Sequence, residues 1–257
     1  MTRVPLPPSM LCLPVAHRAL HDRSGGIIEN SPAAIRAAIR AGYAIEIDLQ
    51  LSQDGVAMVF HDEDLDRLTH ETGPLNARNA ADLSRITLKD SEDRIPTFAE
   101  VLDLVAGQVP LLIEIKDQTL TMSDTDGRLE AETARLLADY QGDVAVMSFN
   151  PHSIAHMARL APGIARGITT SAYDAEDWAP LDPAICDHLR EIPDFTRTGA
   201  SFISHEANDL SRPRVAELTA QGAAILCWTI RSPVAEAKAR EIAQNITFEG
   251  YSAPLPA

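Results

Sequence analysis

Short apolar runs recur along the whole chain, and each is followed by a stretch with helical character. Alternation of strand and helix is typical of α/β proteins with a parallel sheet. The chain has 257 residues, 45% of them hydrophobic, which suits a barrel of eight parallel strands surrounded by helices. We predict an α/β fold of the (β/α)8 TIM barrel type; a doubly wound open sheet is the alternative that periodicity leaves open. The predicted strands are residues 11–17, 44–51, 111–116, 144–149, 165–170, 201–205, 224–230 and 246–251.

Helix-terminus and turn residues support the same alternation. Residues 31–42 begin with Ser-Pro and end in Gly, which predicts a helix with a serine N-cap. Residues 97–107 contain a capping box formed by Thr97 and Glu100. The turn sequence at 52–55 predicts a hairpin in which residues 56–60 run back along the second strand. Further helices are predicted within residues 127–140, 151–161, 211–222 and 232–244.

The chain is predicted to form one domain over residues 1–257, because no linker, low-complexity tract or internal repeat divides it. Residues 62–96 exceed what a minimal barrel needs and are mostly polar, with one short helix predicted at 79–86. A connection of this length is more often a functional cover than a plain loop. No G-x-G-x-x-G or Walker A pattern points to a nucleotide site.

Charge and composition exclude several classes of partner. The formal net charge is −15, so nucleic acid and anionic lipid are poor partners for this surface. The three cysteines are far apart and lack metal-type spacing, which indicates reduced thiols. The N-terminus does not read as a signal peptide, and no window has 18 uninterrupted apolar residues. We therefore expect a cytoplasmic protein without stable membrane insertion, and the oligomeric state stays open.

Ionisable side chains are concentrated where the predicted strands end. The carboxyl ends of barrel strands meet at one mouth, where active sites form. Residues two apart on a strand share a face, so Glu46 lies beside Asp48, and Glu114 beside Lys116. The acidic pair also interrupts an otherwise apolar run. The candidates are His17, Arg18, Glu46, Asp48, His61, Asp62, Glu114 and Lys116.

These residue types together indicate cleavage of a phosphoric ester. Three carboxylates close together need a cation, and oxygen ligands alone favour one divalent ion, Mg²⁺ or Ca²⁺. Two histidines suit general acid–base chemistry near neutral pH. Arg18 and Lys116 suit phosphate oxygens.

The sequence resembles the glycerophosphodiester phosphodiesterase family. Each matching motif is weak alone, but they occur in family order and span most of the chain. The motifs are AHRA (16–19), ENS (29–31), EIDLQLSQDGVAMVFHDEDLDRLT (46–69), IPTFAEVLDL (95–104), LLIEIK (111–116), MSFNP (147–151) and LCWTI (226–230).

The resemblance implies a barrel enzyme that hydrolyses small-molecule glycerophosphodiesters to glycerol 3-phosphate and an alcohol. It implies a metal held by Glu46, Asp48 and Glu114, with His17 and His61 as the acid–base pair. Residues 62–110 correspond to the family's insertion, which covers the substrate. The residues implied to bind phosphate or substrate, or to line the pocket, are Arg18, Lys116, Glu29, Asn30, Phe149 and Trp228.

Two positions depart from the family pattern. The usual H-R-G after the first strand reads His17-Arg18-Ala19, so the turn lacks its glycine. The usual T-D-x-P after the last strand is replaced by residues 246–254, ITFEGYSAP, with Glu249 near the strand end. The second departure puts the headgroup side of the pocket in question and leaves the metal residues unaffected.

Three other functions fit parts of the same pattern. A lysophospholipase D-like or other lipid phosphodiesterase would use the same residues with an apolar groove. An enolate-stabilising barrel would place its acids on three separate strands, and a non-catalytic binding barrel would not need both histidines. The remaining histidines, His205 among them, are expected at the surface or in packing, and the acidic run at 173–178 is expected to be a solvated loop.

Overall fold

Eight parallel strands close into a barrel in the computed structural model, which describes residues 3–256. The first and last barrel strands pair with each other, and the first also pairs with the second, so the parallel sheet has no open edge. This confirms the predicted (β/α)8 TIM barrel and excludes the doubly wound open sheet. The barrel strands are β1 (Val15–Ala16), β2 (Ala44–Leu51), β4 (Leu111–Ile115), β5 (Val144–Ser148), β6 (Ala165–Thr170), β7 (Phe202–Glu206), β8 (Ala224–Ile230) and β9 (Asn245–Phe248).

The predicted hairpin is present outside this ring. Strand β3 (Ala57–Val59) runs antiparallel to β2, with Leu49 opposite Val59. All eight residues of β2 are buried because the strand is covered on both faces. The hairpin carries the chain back to the mouth of the barrel, where His61 follows.

Helices cover the barrel, and their ends follow the sequence signals. The Ser31 hydroxyl accepts a hydrogen bond from the Ala34 N–H, and Gly42 ends that helix at φ 77°. Thr97 and Glu100 form the predicted capping box. The helices are α1 (Pro8–Cys12), α2 (Pro32–Ala41), α3 (Ala80–Leu83), α4 (Phe98–Val105), α5 (Arg128–Leu137), α6 (Pro151–Leu160), α7 (Pro183–Arg190), α8 (Pro213–Ala220) and α9 (Pro233–Ala239).

The first predicted strand is wrong over most of its length. Residues 8–12 form helix α1, and only Val15 and Ala16 pair as a strand. A short apolar run cannot be assigned to helix or strand by periodicity alone. The helix is favoured here because it buries Met10 completely against the interior of the barrel. Helix α7, which the sequence analysis did not predict, begins after an Asp182 side-chain cap.

The lower half of the barrel interior is apolar. Gly167 on β6 makes room for Phe202, since a Cβ at this glycine would lie only 2.4 Å from the ring. This filling leaves the upper half, at the carboxyl ends of the strands, for polar side chains. The apolar cluster consists of Leu6, Met10, Val15, Ala44, Leu112, Ala145, Met147, Ala165, Phe202 and Leu226.

Residues 62–96 build a second, smaller core beside the hairpin. Its side chains, such as Leu68 and Leu83, pack with Met58 and Phe60 rather than with the barrel helices. Helix α4, which follows, instead packs Phe98 and neighbouring residues into the main barrel cluster. Within residues 3–256, no helix combines the length and the apolarity needed to cross a bilayer.

Candidate active site

Three carboxylates converge inside the mouth of the barrel. Alternation along β2 directs Glu46 and Asp48 to the same face, and Glu114 on β4 lies opposite Asp48 in the strand register. Their solvent exposures are 1%, 1% and 6%. Oxygen atoms of the three residues lie within 4.8 Å of one another. Negative charge is therefore concentrated in a place that solvent hardly reaches.

Lys116 and Asn30 compensate part of this charge. The Lys116 ammonium lies 2.7 Å from Asp48 Oδ1 and 2.5 Å from Glu114 Oε1. The Asn30 amide donates to Asp48 Oδ2 at 2.8 Å. Burial alone would raise the pKa of Asp48, but the charges of Lys116, His61 and Arg18 hold it well below its ordinary range. Asp48 is therefore an anion in the folded protein.

Glu46 is the carboxylate with the least compensation. Its Oε2 accepts a hydrogen bond from the Arg18 backbone N–H at 2.8 Å. Burial, and then the charges of Asp48 and Glu114, raise its pKa well above the ordinary value. A hard divalent cation would relieve this repulsion and would find the oxygen ligands that it prefers. The donor set therefore fits Mg²⁺ or Ca²⁺.

His17 lies at the end of β1 and is oriented by a residue from the other end of the chain. Its Nδ1 is 2.6 Å from Glu249 Oε2, and Arg231 Nε donates to the other oxygen of Glu249 at 2.8 Å. Burial lowers the pKa of His17 more than the hydrogen bond to Glu249 raises it. A neutral ring that donates from Nδ1 has an unprotonated Nε2 and can accept a proton there.

His61 follows β3 and is held in a similar way by its neighbour in sequence. Its Nδ1 is 2.7 Å from Asp62 Oδ1, and Arg67 Nε donates to Asp62 Oδ2 at 2.6 Å. Burial would raise the pKa of Asp62, but hydrogen bonds from His61 and Arg67 bring it well below the ordinary range. An anionic Asp62 is suited to orient the imidazole ring and to stabilise its protonated form.

Arg18 and Glu29 link the two histidine regions. Arg18 Nη1 donates to Glu29 Oε1 at 2.7 Å, and Arg67 donates to both oxygens of Glu29. Burial would raise the pKa of Glu29, but these arginines lower it to about 2. The buried Arg18 Nε has no hydrogen-bond partner among the described residues, although Asp48 Oδ2 lies 3.8 Å away.

The turn after β1 keeps a left-handed conformation although it lacks glycine. Arg18 and Ala19 have φ angles of 49° and 64°. These angles lie in the left-handed region, which residues other than glycine and asparagine seldom adopt. Ala19 N–H donates to the Glu46 carbonyl at 2.9 Å, which holds the turn against β2. Two residues with side chains therefore occupy left-handed positions in this turn, at a cost in backbone energy.

Aromatic side chains form one wall of the cleft. Phe149 stands edge-on to Trp228 with ring centroids 5.5 Å apart, and Trp178 contacts Phe149 at 5.0 Å. The expectation of a solvated loop at 173–178 is wrong at both ends, since Tyr173 is buried and Trp178 packs into this wall. Only residues 174–177 are exposed, because the apolar ends of the segment find partners on α7.

The cleft collects most of the predicted site residues. It has a volume of about 160 Å³, and Glu29 and Asn30 lie behind its lining, where they contact Arg18 and Asp48. Sequence reasoning did not assign Glu249 or Arg231 to the site, although the unusual residue at the end of the last strand was a usable signal. The lining residues are His17, Arg18, Glu46, Asp48, His61, Glu114, Lys116, Met147, Phe149, Thr169, Trp228, Thr229, Arg231 and Thr247.

His205 is a packing residue. It is fully buried at the end of β7, where Thr170 Oγ1 lies 2.8 Å from its Nδ1. Its Nε2 is 3.2 Å from the Asp209 carboxylate, which also binds Arg212. These partners join the top of β7 to the turn that follows it.

Comparisons with known proteins agree on one family. Residues 17–246 match the model of the glycerophosphoryl diester phosphodiesterase family. A glycerophosphodiester phosphodiesterase of Caldanaerobacter subterraneus is 29% identical over 179 residues, which cover 66% of this chain and 71% of the relative.

Solved structures of similar proteins show the same fold. A phosphodiesterase of Oleispira antarctica, in complex with the product sn-glycerol-3-phosphate, superposes with a TM-score of 0.74 at 23% identity, covering 92% of this chain and 93% of its own. A glycerophosphodiester phosphodiesterase of Thermotoga maritima gives 0.67 at 20% identity, covering 92% and 94%.

The family match spans nearly all of the barrel and contains both histidines and all three carboxylates, whereas Glu249 lies just beyond it. The chain therefore belongs to the glycerophosphoryl diester phosphodiesterase family, whose members are phosphoric diester hydrolases.

Proposed function

We propose that this protein hydrolyses glycerophosphodiesters to glycerol 3-phosphate and an alcohol, with one divalent cation and two histidines. The observation that carries the proposal is one cleft lined by three buried carboxylates, Lys116, Arg18 and two histidines. Family membership supports the reaction class. The product bound to the Oleispira antarctica relative supports glycerol 3-phosphate as a product here.

Glu46, Asp48 and Glu114 would hold the cation. When bound, Mg²⁺ or Ca²⁺ supplies positive charge to the phosphate oxygens and makes the attacking hydroxyl more acidic. Lys116 remains a cation because the charges of Asp48 and Glu114 outweigh the effect of its burial on its pKa. It limits the repulsion among these acids while the substrate is absent.

Arg18 and Lys116 would bind the phosphate. The Arg18 Nε is buried at the cleft without a hydrogen-bond partner among the described residues, and a buried donor of this kind needs one. A phosphate oxygen supplies that partner. Asn30 donates a hydrogen bond to Asp48, and Glu29 accepts one from Arg18. Asn30 and Glu29 would therefore position Asp48 and Arg18 and affect the substrate only through them.

The two histidines would transfer the protons. One removes the proton from the attacking hydroxyl as its oxygen bonds to phosphorus, and the other protonates the departing alkoxide oxygen. The attacking group is either the glycerol 2-hydroxyl, which gives a cyclic phosphate that water then opens, or water itself. Glu249 and Asp62 keep Nδ1 of each ring engaged, so Nε2 is the atom that exchanges the proton.

Residues 62–110 would cover the substrate in part. Asp62 and Arg67 come from this segment and contact His61 and Glu29. The small core of residues 62–96 gives the cover a fixed shape. Helix α4, at 98–105, belongs to the wall of the barrel.

Release of glycerol 3-phosphate from a panel of glycerophosphodiesters tests this function. Wild-type protein is assayed with Mg²⁺, with Ca²⁺ and with EDTA, beside Glu46→Gln and the control Glu217→Gln. Glu217 is an exposed carboxylate on α8 that pairs with Arg214. We expect release that requires a divalent ion, is lost in Glu46→Gln and is retained in Glu217→Gln.

Two results would overturn the proposal. Full activity in EDTA after exhaustive dialysis would show that the reaction does not require a metal ion. Activity retained by Glu46→Gln would show that Glu46 is not a metal ligand. A cyclic glycerophosphate detected by ³¹P NMR during the reaction would identify the 2-hydroxyl as the attacking group, whereas incorporation of solvent oxygen without that intermediate would identify water.

A lysophospholipase D-like activity is the second candidate, because an apolar wall extends from the cleft. Phe149 and Trp178 pack there with Met122, and Leu120 next to it is largely exposed. An acyl chain could lie along these side chains and bury apolar area. Preference for lysophosphatidylcholine over glycerophosphocholine, with the preference reduced in Trp178→Ala, would favour this substrate class.

A further inference from the structure

A second group of possible metal ligands lies beside the carboxylate cluster and has a different chemistry. His17, His21 and Glu249 place one donor atom each within 4.8 Å of one another. His17 Nδ1 is 2.6 Å from Glu249 Oε2, and His21 Nε2 is 3.6 Å from the same oxygen. Two imidazoles and one carboxylate are a frequent ligand set for zinc, whereas an all-oxygen set favours Mg²⁺ or Ca²⁺.

The nitrogen of His21 provides an independent observation. His21 Nε2 is buried and has no hydrogen-bond partner among residues 3–256, because 3.6 Å to Glu249 is too long for a hydrogen bond. Buried ring nitrogens usually have a hydrogen bond, whereas this one has only a long ion-pair contact with Glu249, which requires a protonated ring. This nitrogen is directed at Glu249, so an ion bound by that oxygen would also contact it.

The distances are close to those of a tetrahedral zinc site. With Zn–N and Zn–O bonds of about 2.0–2.1 Å, neighbouring ligand atoms lie about 3.3 Å apart. The two separations measured here, 2.6 and 3.6 Å, lie on either side of that value. The third separation, between donor nitrogens of His17 and His21, is at most 4.8 Å, so adjustment of the side chains would complete the geometry.

Charge and access are also compatible with an ion at this position. Arg231 occupies Oε1 of Glu249, which leaves Oε2 to face the two histidines. The side chains of His17, His21 and Glu249 are 15%, 21% and 20% exposed, so an ion can reach them from solvent. Water would complete the coordination shell.

We propose that His17, His21 and Glu249 form an inhibitory site for Zn²⁺, distinct from the carboxylate cluster. Zinc bound to Nδ1 of His17 displaces the proton of that nitrogen to Nε2, and the ring stays neutral. Nε2 then carries a hydrogen and no longer accepts one in the reaction. The binding part of this inference stands on geometry alone, and the inhibition rests on the proposed function of His17.

Calorimetric titration with Zn²⁺ in the presence of excess Mg²⁺ tests the binding without any assay of activity. Mg²⁺ in large excess competes with zinc for the oxygen-only cluster, and the His21 variants identify the zinc that binds at the histidines. We expect one zinc ion per chain for wild-type protein and for the control His188→Ala, whose histidine is exposed and pairs with Asp194. His21→Ala and His21→Gln should weaken zinc binding by at least about tenfold.

Inhibition is measured on the same proteins with glycerophosphocholine as substrate and saturating Mg²⁺. His21 is outside the proposed reaction, so both His21 variants should keep basal turnover, while the zinc concentration for half-inhibition rises by about tenfold or more. Unchanged zinc affinity in both variants would overturn the proposal. Zinc binding that is lost with His21 but does not inhibit would leave the site in place and contradict the role of His17 in the reaction.

Discussion

The two histidines of the cleft are held by the same arrangement of side chains, but the chain builds it in two different ways. At His61, the carboxylate of Asp62 and the guanidinium of Arg67 come from the next six residues. At His17, the carboxylate comes from Glu249 and the guanidinium from Arg231, more than 200 residues away. One arrangement is local, and the other exists only because β9 pairs with β1 and closes the barrel.

The two arrangements also differ in environment. The side chain of His17 is 15% exposed and that of His61 is 29% exposed. Arg67 is anchored a second time by Glu29, whereas Arg231 binds Glu249 from a largely exposed position. His17 therefore depends more on its carboxylate for charge stabilisation, while Asp62 is part of a wider network of ion pairs.

Replacement of either histidine should have the largest effect. His17→Ala and His61→Ala remove a proton-transfer group, and each should lower kcat by about 10²–10⁴. Both are measured as glycerol 3-phosphate release with Mg²⁺, and circular dichroism checks that the barrel is intact. Wild-type turnover in either variant would show that the two histidines do not form an acid–base pair.

Replacement of the two carboxylates should separate the arrangements. Glu249→Gln and Asp62→Asn keep the size of the side chain but remove the charge that stabilises the imidazolium, and each should lower kcat by about 10–100-fold. We expect the larger loss for Glu249→Gln because His17 is more buried. Glu236→Gln is the control, since Glu236 also pairs with an arginine but lies on α9 away from the cleft. An equal fall in kcat for Glu249→Gln and Asp62→Asn would show that the more buried histidine does not depend more strongly on its carboxylate.

The same contrast explains what the sequence could predict. The bounds of β2, β6 and β8 agree with the predicted strands. Strands β2 and β8 are rich in aliphatic residues, and β6 ends in three β-branched residues, which favour strands. The motif His61-Asp62 was visible as a pair of adjacent letters. The pair His17–Glu249 was not, since no local pattern reports a contact across 232 positions. Its carboxylate was visible only as a departure from the family pattern at the last strand.

Other errors have similar physical causes. The run at 11–17 was ambiguous between helix and strand, and burial of Met10 beneath the barrel decided it. Trp178 was assigned to a solvated loop because acidic neighbours dominate its sequence context. Its ring packs on Phe149 through tertiary contacts that composition does not encode.

Acid should weaken the ion-pair network of Glu29, which binds Arg67 beside His61 and Arg18 next to His17. The pKa of Glu29 falls from 4.5 to about 2 on folding, so its contribution to stability is present above pH 4.5 and is lost as the pH falls toward 2. Glu29→Gln should lower the free energy of unfolding at pH 7 by about 2–3 kcal/mol. Urea unfolding of both proteins at pH 7, 4.5 and 3 measures the difference.

The difference between wild type and Glu29→Gln should shrink on acidification. If it stayed constant from pH 7 to pH 3, Glu29 would contribute through packing and not through its charge. Asp93→Asn provides a comparison on the same side of the molecule, because Asp93 pairs with Arg36 and accepts from the Ala33 N–H outside the histidine network.

The smallest effect concerns the turn that carries His17. Ala19 has a φ of 64° and is buried, so Ala19→Gly relieves a left-handed strain of about 1 kcal/mol but removes a packed methyl group of similar value. Ala106 ends α4 at φ 45° and is exposed. Ala106→Gly should therefore raise the free energy of unfolding by about 0.5–1 kcal/mol, because no packed methyl group is lost. Thermal unfolding should therefore show a rise in Tm for Ala106→Gly of about 1–4 °C and almost none for Ala19→Gly. A clear rise for Ala19→Gly would show that the methyl group contributes little, and that the turn after β1 retains strain which the family's usual glycine removes.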